Sequence, residues 1–191
     1  MKLSSTPLEG LLIVEPSVYK DERGSFFESY QEKKFQDAGI SAHFIQDNQS
    51  TSKLNVIRGL HFQMAPFAQG KLVRVVKGRA LDVALDIRPD SKTFGRYYSI
   101  ELNSSEIKML WIPPGFAHGF SVLEENTIFS YKVDAPYSKE HERGIRFDDP
   151  EIGIDWKVIN PIVSDKDKLL PTFREYIHHL KKEGIPPIKS S

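Results

Sequence analysis

Alternation with a period of two dominates this chain and narrows what it can fold into. The segment LDVALDI (81–87) sets Leu81, Val83, Leu85 and Ile87 against Asp82, Ala84 and Asp86. In an extended strand these two sets face opposite ways, so the segment reads as a half-buried strand. KLVRVVKG (71–78) is rich in β-branched residues and stops at a glycine, so 71–87 reads as two strands joined at Lys77–Gly78–Arg79. YYSIEL (97–102), MLWI (109–112), FSVL (120–123) and IFSYKVD (128–134) follow, broken by Asn-Ser-Ser, Pro-Pro-Gly and Glu-Glu-Asn. Many short strands at this spacing predict a β-sandwich or barrel. LLIV (11–14), closed by Pro16, reads as a strand start. Helical signal is sparse: QEKKFQDAG (31–39) predicts a short helix ending at Gly39. Phe173, Ile177 and Leu180 recur at helical spacing and predict a C-terminal helix, stopped by Pro186–Pro187 and followed by a loose tail.

The 191 residues are enough for one domain with a substantial core and no staples, with 172–191 as a peripheral helix and tail. Basic and acidic residues balance at 26 each, so no global field draws the chain to nucleic acid or an anionic membrane. The absence of cysteine excludes disulfides, thiolate nucleophiles and cysteine-ligated metals, and agrees with the reducing cytoplasm expected as its location. LLIV is too short for a signal sequence, and no apolar run approaches the roughly 20 residues of a membrane span.

Six histidines stand at 43, 61, 118, 141, 178 and 179. His178 and His179 are adjacent in the helical stretch and point in different directions, which suits solvation or packing. His61, in RGLHFQ (58–63), is flanked by Leu60 and Phe62 and reads either as a satisfied core histidine or as a general base. His118 lies in WIPPGFAHGF (111–120), past a proline-rich turn. This P-x-G-x-x-H pattern resembles the second motif of the cupin jelly rolls. Metal-binding cupins add an H-x-H pair, but here the earlier segment is His61–Phe62–Gln63. Two imidazoles fall short of the three protein ligands of a catalytic metal site, so the expectation is a cupin-like fold without a metal.

Taken together, DERGSFFES (21–29), QDNQS (46–50), VIRGLHFQ (56–63), QGKLVRVVKG (69–78), WIPPGFAHGF (111–120), YKVD (131–134), DDPEIGIDW (148–156) and SDKD (164–167) occur in one order. In that order they resemble the dTDP-4-dehydrorhamnose 3,5-epimerases over roughly residues 8 to 171. The resemblance implies a cofactor-independent enzyme that inverts C3 and C5 of a dTDP-linked 4-keto-6-deoxyhexose, in deoxysugar (L-rhamnose) biosynthesis. It also implies a mainly β, cupin-type jelly roll that forms a homodimer, its N-terminal strands contributing across the interface. His61 matches the family's base, Asp167 the carboxylate that orients it, Lys71 the cation near the enolate oxygen, and Tyr131 the acid on the opposite face. Arg23 and Arg58 match contacts to the diphosphate and sugar. Glu28, Gln46, Asp47 and Asn48 match nucleotide-recognition positions, and Tyr137 matches the residue that stacks on thymine. His118, Glu142 and Lys166 match further substrate contacts.

Local pattern alone gives these residues plainer readings. Tyr131, alternating with Phe129, reads as core with its hydroxyl at an edge, Lys71 as a solvated charge, and Asp167 as part of a charged turn. Arg58 and His61, three apart, cannot both face inward from an ideal strand, so a shared role requires a bulge or twist between them, with Gly59 as the candidate position. The alternative functions are C3-only epimerisation, a metal-dependent cupin, and a non-catalytic sugar-binding jelly roll.

Overall fold

A computed structural model describes residues 1–183 of the chain. The expected Pro186–Pro187 stop and tail lie outside the described residues. Among the described residues thirteen strands and three helices run in the order β1 (Lys2–Ser5), β2 (Leu12–Glu15), β3 (Val18–Asp21), β4 (Gly24–Phe27), α1 (Glu32–Asp37), β5 (Gln46–Ser52), β6 (Ile57–Gln63), β7 (Lys71–Lys77) and β8 (Arg79–Asp86). After these come β9 (Tyr97–Asn103), β10 (Met109–Ile112), β11 (Phe116–Val122), β12 (Thr127–Val133), β13 (Glu142–Gly144), α2 (Asp165–Lys168) and α3 (Phe173–Glu183). They build the expected jelly-roll sandwich. One sheet has the order β1-β2-β10-β7-β12-β5, the facing sheet β13-β6-β11-β8-β9, and β3-β4 forms a separate hairpin.

The two strands predicted within 71–87 are present, but they belong to different sheets. Gly78 makes the crossing with φ +83°, a left-handed conformation, and a Cβ there would lie 2.4 Å from the Thr127 hydroxyl. That position therefore requires glycine.

The half-buried reading of 81–87 needs correction, because β8 is buried on both faces. Leu81, Val83, Leu85 and Ile87 pack outward under Trp156, Phe173 and Tyr176. Ala80 and Ala84 face the sandwich interior with Phe116, Phe120 and Phe129. Asp82 and Asp86 are wholly buried. The C-terminal segment covers the side that an isolated strand would leave to water. Asp86 is satisfied by a local knot, accepting from the Arg88 guanidinium and the hydroxyls of Ser91 and Thr93. His118 lies past the turn at 113–115 as expected, but the strand predicted at 120–123 begins earlier, at Phe116, so the histidine sits within it.

The helices follow their sequence signals. Gln31 caps α1 by accepting from the Lys34 amide at 2.6 Å, and Gly39 ends the segment at φ +96°. Phe173 and Tyr176 anchor α3 in the outer cluster, with Ile177 and Leu180 packed alongside. No helix among the described residues is long and apolar enough to cross a membrane.

Candidate active site

The predicted bulge is present in β6. Arg58 pairs with Phe120 and His61 with His118, so Gly59 and Leu60 together oppose the single residue Gly119. Gly59 has φ +122°, and a Cβ on it would lie 2.5 Å from the Gly119 Cα. Only a glycine crossing fits there, and it turns both Arg58 and His61 toward one cavity. The cavity has a volume of about 530 Å³, and Lys71, His118, Tyr131, Lys166 and Asp167 line it too. Phe120 and Phe129 stack at 3.9 Å in the packed interior beside it.

His61 Nε2 lies 2.8 Å from Asp167 Oδ1, and the Gly59 amide donates to the other carboxylate oxygen at 3.3 Å. His61 keeps about 30 % of its side chain exposed while Asp167 keeps 5 %. Burial by itself would raise the Asp167 carboxyl. The bonds from His61 and Gly59, with the Ser164 cap, outweigh it and hold the group below its ordinary range. Chain pairing delivers this aspartate to a histidine 106 residues away. Ile162 bonds to Asn55 and Ile57 beside the start of β6, and α2 follows from Ser164, whose hydroxyl accepts from the Asp167 amide. Asp165 and Lys168 pair in solvent, so the segment is a charged turn except for the one residue turned inward.

Lys71 opens β7 inside the sandwich and is not the solvated charge of the plainer reading. Its Nζ donates to the His61 carbonyl at 3.3 Å. Burial pushes it down to about 8, against the opposing pull of Asp82 and Glu142. Tyr131 lies on β12, next to the strand of Lys71 in the same sheet and opposite the sheet of His61, paired with Asn48 and Val73. Burial raises its hydroxyl above the ordinary value, with Arg58 lowering it and Glu142 raising it further, so it stays protonated at neutral pH. His118 is buried with Nε2 2.9 Å from Asp82 Oδ2. Burial lowers its pKa although the Asp82 charge opposes this.

Glu142 gathers a second group beside the cavity, accepting from the Tyr137 hydroxyl at 2.9 Å and from Lys166 at 2.7 Å. Gln46 donates to Asn48 at 2.8 Å on the same face of β5, but Asp47 points the other way and pairs with Lys132. Arg23 and Glu28 do not reach the cavity of their own chain. Arg23 sits in the β3–β4 hairpin, bonded to Asp21, and Glu28 pairs with Lys34. The hairpin stands as its own sheet and exposes 65 % of both Tyr19 and Phe26.

Asp82 was missed by sequence reasoning, which placed it on a solvent face. An aspartate midway along a largely apolar strand was the available signal, since strands are depleted in Asp. Gln63, where metal-binding cupins carry their second histidine, spends its amide on loops. It donates to the carbonyls of Phe67 and Pro136 and accepts from the Ser138 amide. Among the described residues no three His, Cys, Asp or Glu side chains cluster as metal ligands.

An imidazole held by a carboxylate on one sheet, with a protonated phenol and a buried lysine on the other, all lining one cavity, define an acid–base enzyme on a cupin-like scaffold. Comparison with known proteins narrows the class. The family model for dTDP-4-dehydrorhamnose 3,5-epimerase matches residues 5–175. An enzyme of that name from Shigella flexneri is 50 % identical over 168 residues, which are 87 % of this chain and 93 % of the relative. The crystal structure of the Elizabethkingia anophelis enzyme superposes with a TM-score of 0.88 at 48 % identity, covering 92 % of this chain and 97 % of that one. The Legionella pneumophila enzyme, solved with dTDP-4-keto-L-rhamnose, gives 0.90 at 39 % identity, covering 99 % of both. The chain belongs to the dTDP-4-dehydrorhamnose 3,5-epimerase family and is an isomerase.

Proposed function

We propose that this chain epimerises C3 and C5 of dTDP-4-dehydro-6-deoxy-D-glucose, giving dTDP-4-dehydro-L-rhamnose, with His61 as base and Tyr131 as acid. The carrying observation is that the two groups enter one cavity from opposite sheets. The C4 ketone acidifies the hydrogens on both neighbouring carbons. His61 takes a proton from one face and the electron pair moves to O4 as an enolate. Asp167 steadies the resulting imidazolium. Lys71 meets the enolate oxygen in a water-poor site, where such charge stabilisation is strongest. Tyr131 then returns a proton to the opposite face of the carbon; His61 releases its proton to solvent and Tyr131 regains one from solvent, and the same exchange at the second carbon completes the reaction.

Arg58 suits the diphosphate, because a guanidinium meets phosphate oxygens bidentately. Tyr137, Glu142 and Lys166 recognise the nucleotide from beside the cavity, with Gln46 and Asn48. The β3–β4 hairpin, with its exposed Tyr19, Phe26 and Arg23, fits a homodimer in which Arg23 and Glu28 serve the second copy's cavity. Sedimentation at micromolar concentration is expected to give a dimer, and a monomer would overturn that assignment.

The test is incubation of dTDP-4-keto-6-deoxyglucose with the protein in deuterium oxide containing chelator, followed by NMR. Deuterium at both carbons with inverted configuration is expected. Deuterium at C3 alone would make the protein a 3-epimerase. Dependence on added metal would overturn the cofactor-free mechanism, and dTDP binding without exchange would leave a binding protein.

A further inference from the structure

Behind the base and acid lies a second carboxylate–imidazole pair that the reaction above does not use. Asp82 is wholly buried on β8, and one of its oxygens, Oδ2, meets His118 Nε2 at 2.9 Å. Its other oxygen, Oδ1, is buried without a hydrogen-bond partner among the described residues. A buried carboxylate left half-satisfied is costly unless nearby positive charge compensates it. The available cation is Lys71, which is also buried and has no carboxylate in ion-pair contact among the described residues. The groups bearing on Lys71 and His118 are Asp82 on β8, Glu142 on β13 and His61 on β6, with Tyr131 on β12 and Arg58 on β6 sharing the cavity. Asp82 is the leading favourable charge on both Lys71 and His118.

The pairing also fixes what His118 offers the substrate. Its burial favours the neutral ring. A neutral ring bonded to a carboxylate through Nε2 carries its proton there, so Nδ1 holds a lone pair. His118 lines the cavity, and its Nδ1 makes no hydrogen bond among the described residues. Such a group accepts from a sugar hydroxyl and cannot donate to the C4 oxygen, which leaves the enolate to Lys71. We propose that Asp82 is a positioning residue with two effects: it holds His118 as an acceptor for a sugar hydroxyl, and it is the counter-charge that keeps Lys71 an ammonium. The inference rests on the assignment of Lys71 to the enolate oxygen.

The test compares pH profiles of kcat for the full-length wild type, Asp82→Asn and Lys71→Met. In the wild type kcat falls on the alkaline side as Lys71 loses its proton. Asp82→Asn is expected to lower kcat on the order of 10- to 100-fold, raise KM as the His118 contact to the sugar hydroxyl loosens, and move the alkaline limb to lower pH by about one unit or more. A merely structural role would lower activity without moving that limb. In Lys71→Met the limb should vanish. If it persists there, the assignment of Lys71 fails. If it vanishes there but Asp82→Asn leaves it in place, the role of Asp82 fails. Should Asp82→Asn not fold, nitrogen-15 NMR of histidine-labelled wild type decides. The expected signature for His118 at pH 7 is a protonated Nε2 with a bare Nδ1, and a protonated Nδ1 would overturn the proposal.

Discussion

Replacing Lys71 with methionine should make the protein more stable at neutral pH while removing its activity. Burial lowers the ammonium from 10.5 to about 8, a shift of roughly 2.5 units. At about 1.4 kcal/mol per unit, holding that charge inside the fold costs about 3 kcal/mol at pH 7. Methionine replaces the buried charge with an apolar chain of similar length, and the loss of the attraction to Asp82 and Glu142 is already counted in that figure, because the lowered value is net of their opposing pull. It also forfeits the bond from Nζ to the His61 carbonyl, worth about 1 kcal/mol. The expected net gain at pH 7 is therefore about 2 kcal/mol. The sign with pH follows from proton counting. Between about 8 and 10.5 the unfolded chain holds more of this proton than the folded one, so wild-type stability rises through that window. Lys71→Met lacks this rise. Near pH 10.5 both states of the lysine approach neutrality, and the order should reverse, with the wild type ahead by about 1 kcal/mol. Urea denaturation of both proteins at pH 7, 8, 9 and 10 measures the difference directly. A variant less stable than wild type at pH 7, or a difference constant to pH 10, would refute the account of Lys71 as a strained buried cation. Epimerisation should fall by roughly 10²–10³-fold, the usual loss when one donor to a developing oxyanion is removed.

Further substitutions test the remaining geometry. Gly59→Ala puts a Cβ 2.5 Å from the Gly119 Cα at φ +122°, so thermal melting should show a loss of about 3 kcal/mol or more. An unchanged melting temperature would mean that the bulge is not required. Tyr131→Phe should still exchange the substrate hydrogen for deuterium but release little inverted sugar, and normal turnover by NMR would place the acid elsewhere. Asp167→Asn should cost about 10²–10⁴-fold in kcat with nucleotide affinity nearly intact. Because the Asp167 carboxyl is held below its ordinary 3.8, its contribution to stability is present above that pH and lost as pH falls through the lower folded value. The stability gap between wild type and Asp167→Asn should therefore shrink below about pH 4 in acid titrations followed by circular dichroism.

Much of this molecule can be read from its letters, and the misses share one cause. Strand positions followed from alternation, because successive side chains of an extended backbone must point to opposite faces. The three-residue spacing of Arg58 and His61 called for a bulge or twist between them, since period two forbids both facing inward, and the fold supplies a bulge at Gly59 with φ +122°. Alternation, however, says that two faces differ without saying what covers each. Asp82 and Asp86 looked solvent-facing because the leucine face was read as the core side; Trp156, Phe173 and Tyr176, some seventy or more positions further along, cover that face from outside, and the aspartates turn with Ala80 and Ala84 into the sandwich. Lys71 and Tyr131 looked like a surface charge and a core aromatic for the same reason.

Asp167 marks the boundary most clearly. Beside two lysines it is an ordinary charged turn, and only the pairing of Ile162 with Asn55 and Ile57 brings it within 2.8 Å of His61. The hairpin that carries Arg23 was visible in the sequence only as a family motif, and its standing as a separate sheet away from this chain's own cavity is a tertiary fact. By itself the sequence determined the β-class, the turns, the bulge and the motifs of the family, since each depends on neighbouring residues and on the backbone's own geometry. Which carboxylate meets which imidazole, and which lysine loses its water, only the tertiary structure decided. Those outcomes depend on burial and on contacts between residues far apart in the chain, where the low polarity of the interior converts proximity into shifted protonation and reactivity.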